Sequence, residues 1–102
     1  MLTSKQRAKL KSIGANTDAL YQMGKNEIGE NYMIQINTAL DAKELIKIKV
    51  LETSAFTAKE AAANLAEMTD SEIVHVIGSK VLLYRKSRKP DKRELSKIIE
   101  SM

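Results

Sequence analysis

The sequence predicts an α/β fold: one compact single domain with the element order α-β-α-β-α-β-β and a mixed four-stranded sheet. Three observations carry this expectation. Apolar residues switch repeatedly between the three-and-four spacing of a helix and the two-residue spacing of a strand. The two kinds of segment alternate along the chain, which places helices against a sheet rather than against one another in a bundle. The last two extended segments are joined by Gly78-Ser79, a two-residue hairpin turn, so an antiparallel pair joins strands otherwise linked through helices.

Taken in order, Thr3 and Ser4 offer side-chain oxygens to cap a helix over about residues 4–13, with Leu10 and Ile13 facing inward and Gly14 ending it. Residues 19–23 form a short apolar strand that runs into the loop 24–29. Met33, Ile36, Ala39 and Leu40 then recur at helical spacing over about 30–42. Residues 44–51 alternate, with Ile46, Ile48 and Val50 on one face and Lys47 and Lys49 on the other, as in a half-buried strand. Thr57 and Glu60 have the spacing of a capping box, in which each side chain satisfies the other's free backbone N–H. The helix behind them, about 58–68, is expected to bury Ala61, Ala62, Leu65 and Met68. Residues 71–77 and 80–85 are the hairpin strands. Pro90 separates this domain, 1–90, from a basic and amphipathic C-terminal extension, 91–102, where Leu95, Ile98 and Ile99 form the stripe of a short helix.

Composition narrows the function. The 102 residues contain no cysteine and one histidine, so neither a disulfide framework nor a thiolate metal site is expected, and no cofactor or metal is assigned. Neither a secretory signal nor a run of ~18–20 apolar residues is present, which predicts a soluble cytoplasmic protein with no membrane partner. The formal net charge is only +4, yet it is segregated. Residues 1–11 carry four basic groups and no acid, residues 80–97 carry eight against two acids, and the stretch between them is net acidic. Such segregation makes a one-signed face whose local potential exceeds what the total suggests.

No catalytic constellation is visible. His75 sits among β-branched residues in the strand Ile73-Val74-His75-Val76-Ile77, the setting of a structural histidine. There is no glycine-rich phosphate motif of the Walker or dinucleotide type and no paired carboxylates on a common face. The protein is therefore expected to be no enzyme and to take no small-molecule substrate. The loop 24–29 is the better candidate, because it leads into a helix N-terminus, where free N–H groups and the helix dipole favour an anion. Lys25 adds a mobile charge and Asn26 a further donor. Lys47 and Lys49 share a strand face, and Arg85, Lys86, Arg88 and Lys89 leave the last strand together, which suits the spaced phosphates of a nucleic acid. Four aromatic residues in the whole chain argue against a base-stacking platform.

Three segments, LTSKQRAKLKSIG, QMGKNEIGENYMIQINTALDAKELIKIKVL and EIVHVIGSKVLLYRKSRKP, together cover about residues 2–90. In them the chain resembles the CRM domain (chloroplast RNA splicing and ribosome maturation), in particular its free-standing bacterial YhbY-like members. The resemblance implies a fold similar to the C-terminal domain of translation initiation factor three and a role in ribosome biogenesis, as a bacterial protein bound to precursors of the large ribosomal subunit. It also implies RNA contact through a basic surface and a G-x-x-G loop, here Gly24-Lys25-Asn26-Glu27. The second glycine of that motif is replaced by Glu27, which brings bulk and negative charge toward the intended phosphate.

The expected RNA-binding residues are Gly24, Lys25, Asn26, Lys5, Lys9, Lys47, Lys49, Lys80, Arg85, Lys86 and Arg88, in a monomer whose partner is ribosomal RNA. The competing expectation is a protein–protein adaptor that docks on a ribosomal or other acidic partner through the C-terminal stripe.

Overall fold

The computed structural model describes residues 2–24 and 29–102. The described residues form α1 (Ser4–Ala15), β1 (Tyr21–Met23), α2 (Glu30–Lys43), β2 (Leu45–Val50), α3 (Ala58–Thr69), β3 (Glu72–Ile77), β4 (Lys80–Tyr84), a 3-10 helix (Pro90–Lys92) and α4 (Glu94–Glu100). The sheet order is β1-β2-β4-β3: β1 and β2 run parallel across the α2 crossover, and β4 is antiparallel to both of its neighbours. The fold is the mixed four-stranded α/β arrangement expected from the sequence.

Local chemistry explains the boundaries. Thr3 caps α1 through a complete capping box: its Oγ1 accepts from Gln6 N at 3.1 Å, and Gln6 Oε1 accepts from Thr3 N at 2.9 Å. Thr57 and Glu60 do the same for α3, as their spacing predicts. Two expectations are corrected. Gly14 lies inside α1 rather than ending it, and a Cβ there would come within 2.3 Å of Leu82 Cδ2, so this glycine allows the helix to lie close on β4. In α3, Met68 is exposed and Thr69 is buried instead, four residues on from Leu65. Its hydroxyl is satisfied by the Leu65 carbonyl at 2.6 Å, which makes a polar residue acceptable there.

The alternation of β2 and β4 divides the core. Ile46, Ile48, Val81 and Leu83 point to one face, where Ile36 and Leu40 of α2 and Ala61, Ala62 and Leu65 of α3 cover them. Each large aliphatic buried this way contributes about 2 kcal/mol. Leu45, Leu82 and Tyr84 point to the other face and pack with Val74, with Leu10 of α1 and with Ile99 of α4. That second cover is incomplete. Lys49 and Lys80, which share the face of Leu45 and Leu82 by strand alternation, stay exposed, as does Ile77 at the end of β3. A register shift between Ile73 and His75 bends β3, and the Arg7 guanidinium on α1 donates to the Ile73 and Val74 carbonyls there.

The C-terminal segment is tied to the end of α2 by two carboxyl groups. Glu44, fully buried, accepts from Ser87 N at 2.7 Å and from Ser96 N at 2.9 Å. The second of these bonds serves a free N–H of the first turn of α4, which has no side-chain cap of its own. Glu44 sits at φ 66, a left-handed conformation that glycine would adopt more cheaply. A glutamate there is explained by the two N–H groups that its side chain satisfies. Asp41 completes the staple through the backbone N–H and guanidinium of Arg88 and the guanidinium of Arg85. Within the extension the chain breaks at Arg93, whose Nε donates to the Ser87 carbonyl at 2.7 Å, so that the 3-10 turn before it and the short helix α4 after it are separate. Ile99 is buried and Leu95 half-buried against the α1 face, so much of the stripe that suggested adaptor docking is covered by the chain itself.

Candidate nucleic-acid interface

The cations singled out on β2, on β4 and just after β4 separate into two groups at opposite ends of β4. At the first end, Lys49 of β2 stands directly opposite Lys80 of β4 in the antiparallel register, with Lys47 opposite Leu82 one step further on. Side chains at directly opposed positions lie on the same face, about 5 Å apart at Cβ, and like charges there are mutually repulsive. No carboxylate among the described residues is within ion-pair distance of either lysine. Lys11, near the end of α1, borders the same open face together with Lys47 and Lys80. Lys5 and Lys9 are exposed one turn apart on α1.

Of the loop candidates, Gly24 lies at this end. Met23, the last residue of β1, pairs with Val50 at the end of β2, and Leu51 N donates to Met23 O at 2.8 Å. Val50 N in turn donates to Ser79 O of the hairpin at 2.7 Å. Gly24 therefore emerges beside the end of β2 and the hairpin, and a Cβ on it would meet Leu51 and Thr53 side-chain atoms at 3.5 and 3.6 Å. Lys25 and Asn26 lie outside the described residues. Gly29 is the N-cap of α2, in extended conformation with no side-chain cap bond, so the helix start depends on its backbone alone.

At the other end the basic residues are engaged within the fold. Arg85, with only 10% of its side chain exposed, donates to Asn37 Oδ1 and the Thr69 carbonyl, both at 2.7 Å, and to Asp41 Oδ1 at 3.1 Å. It joins α2, α3 and β4, with both Nη atoms on internal acceptors and Nε buried without a partner among the described residues. Arg88 is 64% exposed, but its guanidinium grips Asp41 through Nε and an Nη at 2.9 and 2.6 Å. This bidentate pair raises the Arg88 pKa. Through the side-chain bond to Arg88, with the backbone N–H of Arg88 and the nearby charge of Arg85 adding to it, the Asp41 carboxyl is held well below the usual carboxylate range despite its burial. Lys86 pairs with Glu100 at 3.2 Å with both side chains about half exposed, an arrangement of small energetic weight.

Sequence reasoning missed three contributors to the open face. Lys11 counts in the sequence only among the four basic groups of residues 1–11, whereas its neighbours here are Lys47 and Lys80. His75, with the setting of a structural histidine, and Ile77 both border the uncovered half of the sheet. The pairing of β2 with β4, a non-local contact, brings these groups together.

The chain is similar to known proteins over nearly its whole length. It is 35% identical over 95 residues to the probable RNA-binding protein YqeI of Bacillus subtilis, spanning 93% of this chain and 99% of that one. A probable RNA-binding protein of Pseudomonas aeruginosa is 31% identical over 91 residues, spanning 89% and 88% of the two chains. The solution structure of a Staphylococcus aureus protein for which RNA binding has been suggested superposes with a TM-score of 0.74 at 44% identity, covering 92% of this chain and 98% of that one. No helix among the described residues is long and apolar enough to cross a membrane. The CRS1 / YhbY (CRM) domain matches residues 2–85, and the chain belongs to that family.

Proposed function

We propose that this chain is a non-catalytic RNA-binding protein that grips the phosphate backbone of structured ribosomal RNA during assembly of the large ribosomal subunit. The observation that carries the reading is the direct opposition of Lys49 and Lys80 on an open sheet face, with no carboxylate among the described residues paired to either. Two exposed cations held side by side cost folding energy, and a bound phosphate removes that cost while releasing its own condensed counterions. Lys47 and Lys11 extend the charge along the sheet, Lys5 and Lys9 add exposed charge on α1, and Gly24 lies at the same end as Lys49. Arg85 is left out of the contact set because its side chain is nearly buried and both Nη atoms are bonded within the fold. Lys86 and Arg88 are paired and contribute less. The RNA partner is supported by relatives named for RNA binding, and the ribosomal target by the resemblance to YhbY-like proteins.

The test is the salt dependence of binding to large-subunit ribosomal RNA fragments, combined with sedimentation of tagged protein from lysate. Lys49→Ala and Lys80→Ala are each expected to lower the logarithmic salt slope by about 0.7–0.9 per lost phosphate contact. Lys59→Ala, on the exposed side of α3, should leave it unchanged. Co-migration with large-subunit precursors that is lost at high salt supports the assembly role. Equal effects of Lys49→Ala and Lys59→Ala would remove the sheet face from the interface.

A further inference from the structure

The open half of the sheet is not a flat cationic surface. A hollow of about 230 Å³ is sunk into it, and its lining is overwhelmingly apolar. Gly14 and Ala15, in the last turn of α1, form one side, and the missing Cβ of Gly14 is what allows the helix to lie so near Leu82. Ile77 and Leu82 supply aliphatic surface, and His75 adds a half-buried imidazole. The cationic groups at this hollow are the lysines of the phosphate face, Lys11, Lys47 and Lys80.

A single exposed isoleucine needs no explanation. Ile77, 62% exposed and lining a hollow whose charged groups are all cations, does. A bare phosphate has no use for an apolar floor, and an apolar ligand has no use for three lysines. A nucleotide carries both halves, a planar ring and an anionic backbone. The volume lies below the roughly 300 Å³ at which sites for drug-sized ligands begin, which suits one ring system. We propose that this hollow receives one unstacked nucleobase of the bound RNA, while Lys11, Lys47 and Lys80 hold the phosphates on either side of it. The inference rests on the RNA-binding reading and narrows its substrate class to structured RNA with an unpaired nucleotide. A base in an uninterrupted duplex cannot reach the hollow without leaving its stack, whereas a bulged or loop base is already displaced. His75 offers a ring face for stacking and a ring nitrogen for hydrogen bonding to the base edge.

The experiment uses the full chain and two RNA stem-loops of the same stem, one uninterrupted and one with a single bulged 2-aminopurine. Affinity is read by anisotropy and base environment by 2-aminopurine fluorescence. The bulged stem should bind at least about fivefold more tightly, with a saturable fluorescence change of the same midpoint. Ile77→Ser, at an exposed position, should abolish both the preference and the fluorescence change while binding to the uninterrupted stem persists. Ala15→Leu, which fills the hollow from α1, should do the same. Equal affinity of the unmodified protein for the two stems would overturn the nucleobase site and leave the RNA-binding reading standing. Binding to neither stem at low salt would overturn both. Retention of preference and signal by Ile77→Ser and Ala15→Leu would place the base elsewhere and overturn the assignment.

Discussion

The two ends of β4 carry similar numbers of cations and use them in opposite ways. At the Lys80 end, Lys49 and Lys80 oppose each other with no acidic partner among the described residues, and Lys11 and Lys47 stand nearby. At the Tyr84 end, about 14 Å along the strand, Arg85 and Arg88 are bonded to Asp41 and Lys86 to Glu100. The buried Glu44 ties down the following backbone there. Charge alone does not mark a binding surface: cations whose counter-charges lie within the fold are structural, and those whose counter-charges are missing are available to a ligand. Substitutions at the two ends should therefore move different observables. Changes at the tied end should alter stability and spare the salt slope of RNA binding, and changes at the open end should do the reverse.

The largest effect is expected from Glu44→Ala. It leaves the N–H groups of Ser87 and Ser96 buried without acceptors, at about 1–3 kcal/mol each, so a loss of about 4 kcal/mol is expected. Thermal denaturation followed by circular dichroism should show a Tm drop of more than about 15 °C for a domain of this size. RNA binding measured well below that Tm should keep its salt slope. A lowered slope would mean that the C-terminal segment contributes phosphate contacts directly.

Asp41→Asn should cost less, about 2 kcal/mol, because Arg85 keeps its bonds to Asn37 and Thr69 while Arg88 loses its bidentate carboxylate. The same group sets an acid limit. The pKa of Asp41 is depressed in the folded state, so its contribution is fully present above its unfolded value of about 3.9 and is lost as pH falls below that value toward the lower folded pKa. Urea midpoints measured between pH 6 and pH 2.5 should fall more steeply for the unmodified protein than for Asp41→Asn. Parallel profiles would show that Asp41 is not the acid-labile element.

The contrast between the ends also separates what local sequence specifies from what it does not. The Thr57/Glu60 capping box, the alternation over Ile46 to Val50 and the Gly78-Ser79 turn, with Gly78 at φ 56, are each determined within a few residues and were legible. So was the apolar stripe of α2. Gly14 was misread as a helix stop because its reason for being there, Leu82, is 68 residues away. Met68 and Thr69 compete for one inward position, and the outcome depends on the Leu65 carbonyl bond and on how α3 meets the sheet. At the candidate site, Lys47, Lys49 and Lys80 were visible as a charge pattern. Their convergence with Lys11 and Ile77 required β4 to insert between β2 and β3, which no local pattern encodes. Arg85 and Arg88 were grouped with them for the same reason, since their partners Asn37 and Asp41 lie more than forty residues away.

The smallest expected effect tests the open end most sharply because its two readouts have opposite signs. Lys49→Glu converts a cross-strand like-charge pair with Lys80 into an opposite-charge pair on an exposed face. Cross-strand pairs of this kind contribute roughly 0.2–1 kcal/mol, so the folded state should gain about 0.5 kcal/mol, seen as a Tm rise of about 3 °C. RNA affinity should fall at the same time, with the salt slope reduced by at least about 0.7, because one phosphate contact is lost and a carboxylate faces the next phosphate. A more stable protein that binds RNA less well is the result expected if the Lys49–Lys80 repulsion is kept for its ligand. If stability and affinity fall together, Lys49 is making a contact that the fold needs, and the division between a tied end and an open end fails at its central pair.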